Sequence, residues 1–296
     1  MIAFSVRPLH VALYVLVMVV WALNFPVAKV GLAQLPPMFL IALRFVLVAV
    51  LLLPFVARPT GRWRQVILIS VTLGFLHFAL MFSGLDRLDA ATAAITIQLQ
   101  VPFASILAAL FLNDRLGWRR ALGMVIAFVG VAFIAGEPRL QGQYLALALV
   151  IAASAAWSIG NLQVKLLDGV NGMTLIAWSA VFAAPQLLLG SLVFEQGHQA
   201  ALAAADWRAL FSIVYQAVFV VVLGYGIWYW LLKRYEVNQS MPFTLLVPPL
   251  AVIASVVFLD EALTPPMILG GLMTVLGVGI ITLRRPRTTA PEAERL

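Results

Sequence analysis

The 296-residue chain places 63% of its residues in the hydrophobic set and only 10% among Asp, Glu, Lys and Arg, against about 45–50% and 25% in soluble domains, which excludes an ordinary soluble globule. Its formal charge of +7 and pI near 10.2 are read as basic residues gathered on one side of a membrane, not as a nucleic-acid surface. Cysteine is absent, so disulfides, thiolate metal sites and thiol nucleophiles drop out of the argument.

At about 20 apolar residues per crossing, ten crossings use roughly 200 residues and leave only short connections. Apolar runs bounded by charge, Pro and Gly predict ten helices, and the first covers 9–32. The run behind the basic stretch Met1 to Arg7 is longer than a signal-peptide core and lacks a small-x-small cleavage site, so this helix is read as retained. Trp21, Asn24 and Ala28 share one of its faces, Pro26 interrupts it, and Lys29 lies near its end. The second helix, 37–56, carries Arg44 about two turns in. An unpaired charge is costly there, so Arg44 is read as structural, bonded to helix carbonyls or a polar side chain.

The third helix, 65–85, repeats Ser70, Gly74, His77, Met81 and Gly84 at steps of four, three, four and three, which places them on one face. Two readings stay open for His77: a hydrogen-bonding or proton-sensitive group in a cavity, or a neutral histidine bonded to a neighbouring helix. A metal role fails because no second His or carboxylate accompanies it. The fourth helix, 90–112, holds Gln98 and Pro102, and the fifth spans 118–135. The sixth, 143–166, offers Ser154, Trp157, Ser158 and Asn161 at a depth comparable to Trp21 and Asn24, with Lys165 at its end. Further helices lie at 172–194 and at 207–232, the latter with Tyr225, Trp228 and Tyr229. The ninth, 239–259, begins with Gln239 and contains Pro242, Pro248 and Pro249, and the tenth is 266–283.

With the amino terminus inside, fourteen of the nineteen Lys and Arg residues fall on the inner side, while Lys29, Arg87, Arg139 and Arg208 fall outside and Arg44 lies within a helix. That bias predicts ten spans with both termini cytoplasmic. All twelve Asp and Glu fall at helix ends, loops or the tail, which argues against an intramembrane carboxylate proton relay.

A shift of 147 residues aligns Pro102 with Pro249, Phe111-Leu112 with Phe258-Leu259, Asn113-Asp114 with Asp260-Glu261, Gly123 with Gly270, and Gly130-Val131 with Gly277-Val278. A shift of 136 aligns Trp21 and Lys29 with Trp157 and Lys165. These registers predict a duplicated five-helix unit, 1–138 and 139–285, with a disordered cytoplasmic tail at 286–296. An odd helix number per unit turns the second copy upside down. The expected fold class is therefore an all-α membrane protein of ten transmembrane helices, built as two inverted five-helix repeats around a central cavity.

The residues that carry these patterns resemble the drug/metabolite transporter superfamily in its ten-helix metabolite-exporter (EamA) branch. They are Trp21-Ala22-Leu23-Asn24-Phe25-Pro26, Pro37 with Ala42-Leu43-Arg44-Phe45, and the stretch Ala90 to Gly130 repeated from Val237 to Gly277 with Asp260-Glu261-Ala262-Leu263. The likeness covers nearly the whole chain; its motifs are specific for the superfamily and weak for substrate. Its closer side is the amino-acid exporters, including the aromatic amino acid exporter type. The resemblance implies a bacterial inner-membrane location and a cavity lined mainly by helices 1, 3, 4, 6, 8 and 9. Asn113-Asp114 departs from the Gly-Glu pair frequent at this turn in relatives.

The expected function is export of neutral and aromatic amino acids, or similar small metabolites, by alternating access. The expected cavity residues are Trp21, Asn24, His77, Met81, Gln98, Trp157, Ser158, Asn161, Tyr225 and Trp228. Trp supplies an apolar wall, and Asn both donates and accepts, as a zwitterion requires. The competing role for each Trp is the interfacial aromatic belt. Pro26, Pro102 and Pro249 are expected hinges, although Pro also occurs in static membrane helices. Lys29 and Lys165 are expected at the two mouths, where such side chains commonly snorkel to the interface. The partners are a small-molecule substrate and the lipid bilayer, with no nucleic acid, cofactor or metal and a monomer expected. The alternative cargo is a phosphorylated sugar or another anionic metabolite, which asks for clustered basic residues deep in the cavity. An intramembrane enzyme needs a catalytic constellation at depth that this sequence does not offer.

Overall fold

The structure, a computed structural model, describes residues 7–112, 114, 116–235 and 237–283. Asn113 and Arg115 of the turn motif, and the tail assigned to 286–296, lie outside the described residues. All regular structure among the described residues is helical. Ten helices are long and apolar enough to cross a membrane: α1 (Pro8–Leu32), α2 (Pro37–Phe55), α3 (Trp63–Arg87), α4 (Ala90–Phe111), α5 (Trp118–Ala135), α6 (Tyr144–Lys165), α7 (Gly172–Phe194), α8 (Trp207–Leu232), α9 (Gln239–Leu259) and α10 (Pro265–Thr282). Every predicted helix is present, with ends within two residues of the sequence-based bounds.

Local chemistry explains the boundaries. Pro8, Pro37 and Pro265 open α1, α2 and α10, where the missing N–H has no partner to lose and φ is already helical. Asn171 and Asp206 cap α7 and α8 by accepting from the N–H groups of Met173 and Arg208, both at 2.8 Å. The outward side chains remain apolar: Leu189, Leu192, Val193 and Phe194 on α7 are all more than 60% exposed. Such a surface is matched to lipid rather than water.

Packing repeats with a period of five helices. Helix α5 lies along α10, α2 along α7, α1 against α8 and α9, and α6 against α3 and α4. Moving each helix number by five returns the same pairs. Backbone irregularities obey the same rule. The chain widens to π-type bonding over Ser70–Leu76 in α3 and Tyr215–Tyr225 in α8. It tightens to a 3₁₀ turn at Ile97–Leu99 in α4, and α9 breaks at the corresponding place, between Val237–Thr244 and Val247–Leu259.

The α5–α10 contact brings backbone against backbone. A Cβ added at Gly277 would stand 2.5 Å from the Gly123 carbonyl and 2.6 Å from the Ala127 nitrogen, and one at Gly130 would stand 2.6 Å from the Gly270 carbonyl. The two glycine pairs that the 147-residue shift aligns thus meet crosswise, Gly123 against Gly277 and Gly130 against Gly270. Small residues let membrane helices approach this closely, which matters where no hydrophobic effect drives helices together.

Candidate functional site

One cavity of about 1060 Å³ runs from the middle of the bundle to the face where α1 starts. That face is identified by its contacts: Tyr235, just past α8, receives the Arg7 N–H at 3.3 Å and meets His10 Nδ1 at 2.6 Å. Asp114 and Arg120, paired at 2.5 Å between the end of α4 and the start of α5, stand on the wall at this mouth.

The irregular backbone builds the deep part of the cavity. The π stretch of α8 presents Val221 and Tyr225, and its Val220 carbonyl accepts the Trp21 Nε1–H at 3.4 Å. Trp21 packs on Tyr225 and Trp228 with ring centroids 5.1 and 5.4 Å apart. The 3₁₀ turn of α4 presents Gln98, and Thr244 lies at the matching break of α9. Non-helical backbone at this depth is tolerated where it lines a cavity.

The structure brings Trp21, Gln98, Trp157, Asn161, Tyr225 and Trp228 to the cavity wall. It places Asn24, His77, Met81 and Ser158 elsewhere. His77 is 5% exposed, and its Nδ1–H donates to the Ala153 carbonyl of α6 at 2.9 Å, so of its two readings the histidine bonded to a neighbouring helix holds. Met81 is buried in the main apolar core. Ser158 donates to the carbonyls of Gln100 and Ser154 at 2.7 and 2.9 Å, so it ties α6 to α4. Asn24 stays off the wall, with its Oδ1 enclosed and without a hydrogen-bond partner. The stripe of small and polar residues on α3 is a packing face: a Cβ at Gly74 would run into Ala183, and one at Gly84 into Val150. In membrane helices such stripes serve close approach.

Two features of the wall escape the sequence. It also includes residues of α2, α7 and α10, among them Phe45, Ser179 and Val278. Arg44 stands on it as well, 3% exposed, with its guanidinium 4.7 Å from the Phe78 ring centre and 5.5 Å from that of Phe45. Its neighbours are ring faces rather than helix carbonyls. The signal that points to it is a lone arginine inside a span with no acid at mid-span depth.

The opposite face is closed by bonds between helices. Lys29 Nζ donates to the carbonyls of Leu85, Asp86 and Leu88, at 3.0 to 3.1 Å, fastening α1 to the end of α3. Lys165, its counterpart at the end of α6, is exposed. The Glu195 carboxylate accepts from the N–H groups of Met38 and Phe39 at 2.7 and 3.2 Å, and that of Glu261 from Ala90 and Ala91 at 2.6 and 3.0 Å. Gln34 Nε2 donates to Asp206 Oδ1 at 2.8 Å, and the Asp206 N–H donates back to Gln34 Oε1 at 2.9 Å.

The bond from Gln34, with that from the Arg208 N–H, holds the Asp206 carboxyl below its ordinary 3.8. A depressed carboxyl value stabilises the fold above 3.8, and the contribution is lost as pH falls through the lowered value. Melting temperatures measured from about pH 6 to about pH 3 are therefore expected to fall less steeply for Asp206→Asn than for the parent; parallel curves would show that this latch carries no acid sensitivity.

Known proteins share both the sequence pattern and the fold. The model of the EamA-like transporter family matches twice, over residues 9–136 and 144–283. A protein of Salmonella typhimurium described as a "Probable amino-acid metabolite efflux pump" is 35% identical over 278 residues, covering 90% of this chain and 93% of its own. A protein of the same description from Escherichia coli is 34% identical with the same coverage. A "Probable terminal-alkyne amino-acid exporter" of Streptantibioticus cattleyicolor is 29% identical, over 95% of this chain and 97% of its own. A solved crystal structure 16% identical in sequence superimposes with a TM-score of 0.65, over 94% of this chain and 98% of its own, and shares the fold.

Proposed function

We propose, from the premise that this chain belongs to the EamA-like transporter family, that it exports amino acids across the inner membrane by alternating access, with neutral and aromatic side chains preferred. The observation that carries this reading is the cavity: about 1060 Å³, open at one face, closed at the other, and walled by Trp21, Trp157, Trp228, Tyr225, Gln98 and Asn161. Indole and phenol faces receive an apolar side chain, and the amides orient polar groups. The relatives described as amino-acid efflux pumps and exporters support the same cargo class.

In this proposal the two family matches are inverted halves, because each contains five spans and the second must enter the bilayer from the other side. The fourteen-to-four distribution of basic residues supports a cytoplasmic open face, with cargo loading from inside. Rocking of the halves bends α4 and α9 at their matched breaks beside Pro102 and Pro249, and α1 at Pro26. Lys29 fastens the outer face in the present state; Lys165 takes the equivalent part at the inner mouth when that closes.

The test is uptake into proteoliposomes by counterflow with labelled L-phenylalanine and L-leucine. Saturable uptake, competed by other neutral amino acids, is expected. No transport of any amino acid by a monodisperse preparation would sink the proposal, and preferential uptake of glucose 6-phosphate would move the cargo to anionic metabolites.

A further inference from the structure

We infer that Arg44 is the carboxylate-binding group of the cavity, its guanidinium fork receiving the α-carboxylate of the cargo. The inference rests on the amino-acid reading above and names the group that would recognise one end of the molecule. Three observations converge on Arg44. It lies on the cavity wall in α2 yet is only 3% exposed. Neither ion pair found among the described residues involves it, and its Nε is enclosed without a hydrogen-bond partner. Its charge is held between the rings of Phe45 and Phe78.

A guanidinium carries five N–H donors in a rigid plane and stays protonated, so the protein cannot relieve an unpaired arginine by neutralising it. Ring faces attract the cation but accept none of these N–H bonds in their plane. An enclosed charge with open donors is costly unless an anion completes it. The spans carry no acid at mid-depth to supply that anion, whereas the cavity beside Arg44 has space for a ligand that brings its own. The two parallel N–H bonds of the fork match a carboxylate in geometry as well as charge. Phe45 and Phe78 pack against the guanidinium, 5.5 and 4.7 Å from ring centre to its carbon. Trp21 and Tyr225 form another part of the same wall, where the cargo's side chain packs.

The experiment measures binding of L-leucine and of L-leucinamide, which lacks the carboxylate charge, to the purified full chain by titration calorimetry. The parent, Arg44→Lys and Arg44→Gln are compared, each first shown monodisperse by size exclusion. The parent is expected to prefer leucine over the amide by roughly 10- to 100-fold, the loss expected for a charged bidentate contact. R44Q is expected to bring that ratio close to one, chiefly by weakening leucine. R44K, which keeps the charge without the fork, should fall between. A structural role lowers melting temperature without moving the ratio. If R44Q fails to fold, the parent's own ratio together with R44K decides. An unchanged ratio in the variants, or no preference in the parent, overturns the role of Arg44 and leaves amino-acid export standing. Absence of binding for both ligands, together with absence of transport, overturns the functional reading and this inference with it.

Discussion

Gly277→Val is expected to keep the protein from reaching a monodisperse folded state, and Gly130→Val to do the same. At Gly277 a single added carbon already stands 2.5 Å from the Gly123 carbonyl, 2.6 Å from the Ala127 nitrogen and 3.0 Å from the Ala127 Cα. These are backbone atoms, so no rotamer change relieves the contact. The helices must move apart, and the cost extends along the whole α5–α10 seam because the second glycine pair lies on it. Overpacking a single core site costs about 1–3 kcal/mol, and a backbone clash belongs at the upper end. Membrane helices have little hydrophobic drive to hold a widened seam together. The measurement is the monodisperse fraction and melting temperature in detergent, beside Gly226→Ala, whose added carbon meets nothing within 4 Å. A Gly277→Val protein that melts within a degree or two of that control would show that the seam does not depend on backbone approach.

Glu261→Ala is expected to unfasten the closed face opposite the cavity mouth. The Glu261 carboxylate, just beyond α9, accepts the first two N–H groups of α4. Those donors have no intrahelical partners and sit at the positive end of the helix dipole. Leaving a buried donor unsatisfied costs about 1–3 kcal/mol, which shifts the ratio of closed to open state of this face by roughly 5- to 150-fold. Because the sequence contains no cysteine, a single Ala94→Cys reporter can be read without background. Ala94 is 1% exposed, packed near Ala22 and Ala251 between α4, α1 and α9. Its labelling by a membrane-impermeant maleimide is expected to rise at least about fivefold with Glu261→Ala, and equal rates would dismiss the clasp. Glu261→Gln should be milder. Burial pushes the Glu261 carboxyl above its ordinary 4.5 despite the two N–H bonds that oppose it. Stability from that raised value is present below 4.5 and declines as pH rises through it, and Gln, which keeps one accepting oxygen but turns an amide NH2 toward the second N–H, is expected to hold only part of the clasp.

How far the candidate site is legible in the sequence depends on the kind of signal. Register alone pairs Trp21 with Trp157, and both stand on the cavity wall. Helical spacing from Ser70 places His77 and Met81 on the cavity side, and that spacing assumes a regular helix. The π stretch from Ser70 to Leu76 inserts an extra residue into the turn and rotates the remainder of α3. His77 consequently meets the Ala153 carbonyl of α6. Asn24 matches Asn161 in depth by sequence, but only Asn161 reaches the cavity. Sequence makes Arg44 a structural charge satisfied by helix carbonyls or a polar side chain, whereas it lies against two phenylalanine rings on the wall.

Hydropathy, charge and register are one-dimensional quantities, and they determined the ten helices and their ends. A span is long enough or it is not, and a buried backbone must bond within itself wherever it crosses lipid. The same reasoning located the matched prolines and glycines, since repeats leave their spacing in the chain. Tertiary structure alone decided which polar groups face one another. That choice depends on the rotation of each helix about its axis, which π stretches and breaks reset by local geometry, and on which neighbour offers a carbonyl or a ring first. It also decided which mouth is shut, because the bonds made by Glu261, Glu195, Gln34 and Lys29 join helices from distant parts of the chain, and no spacing between neighbouring residues records them.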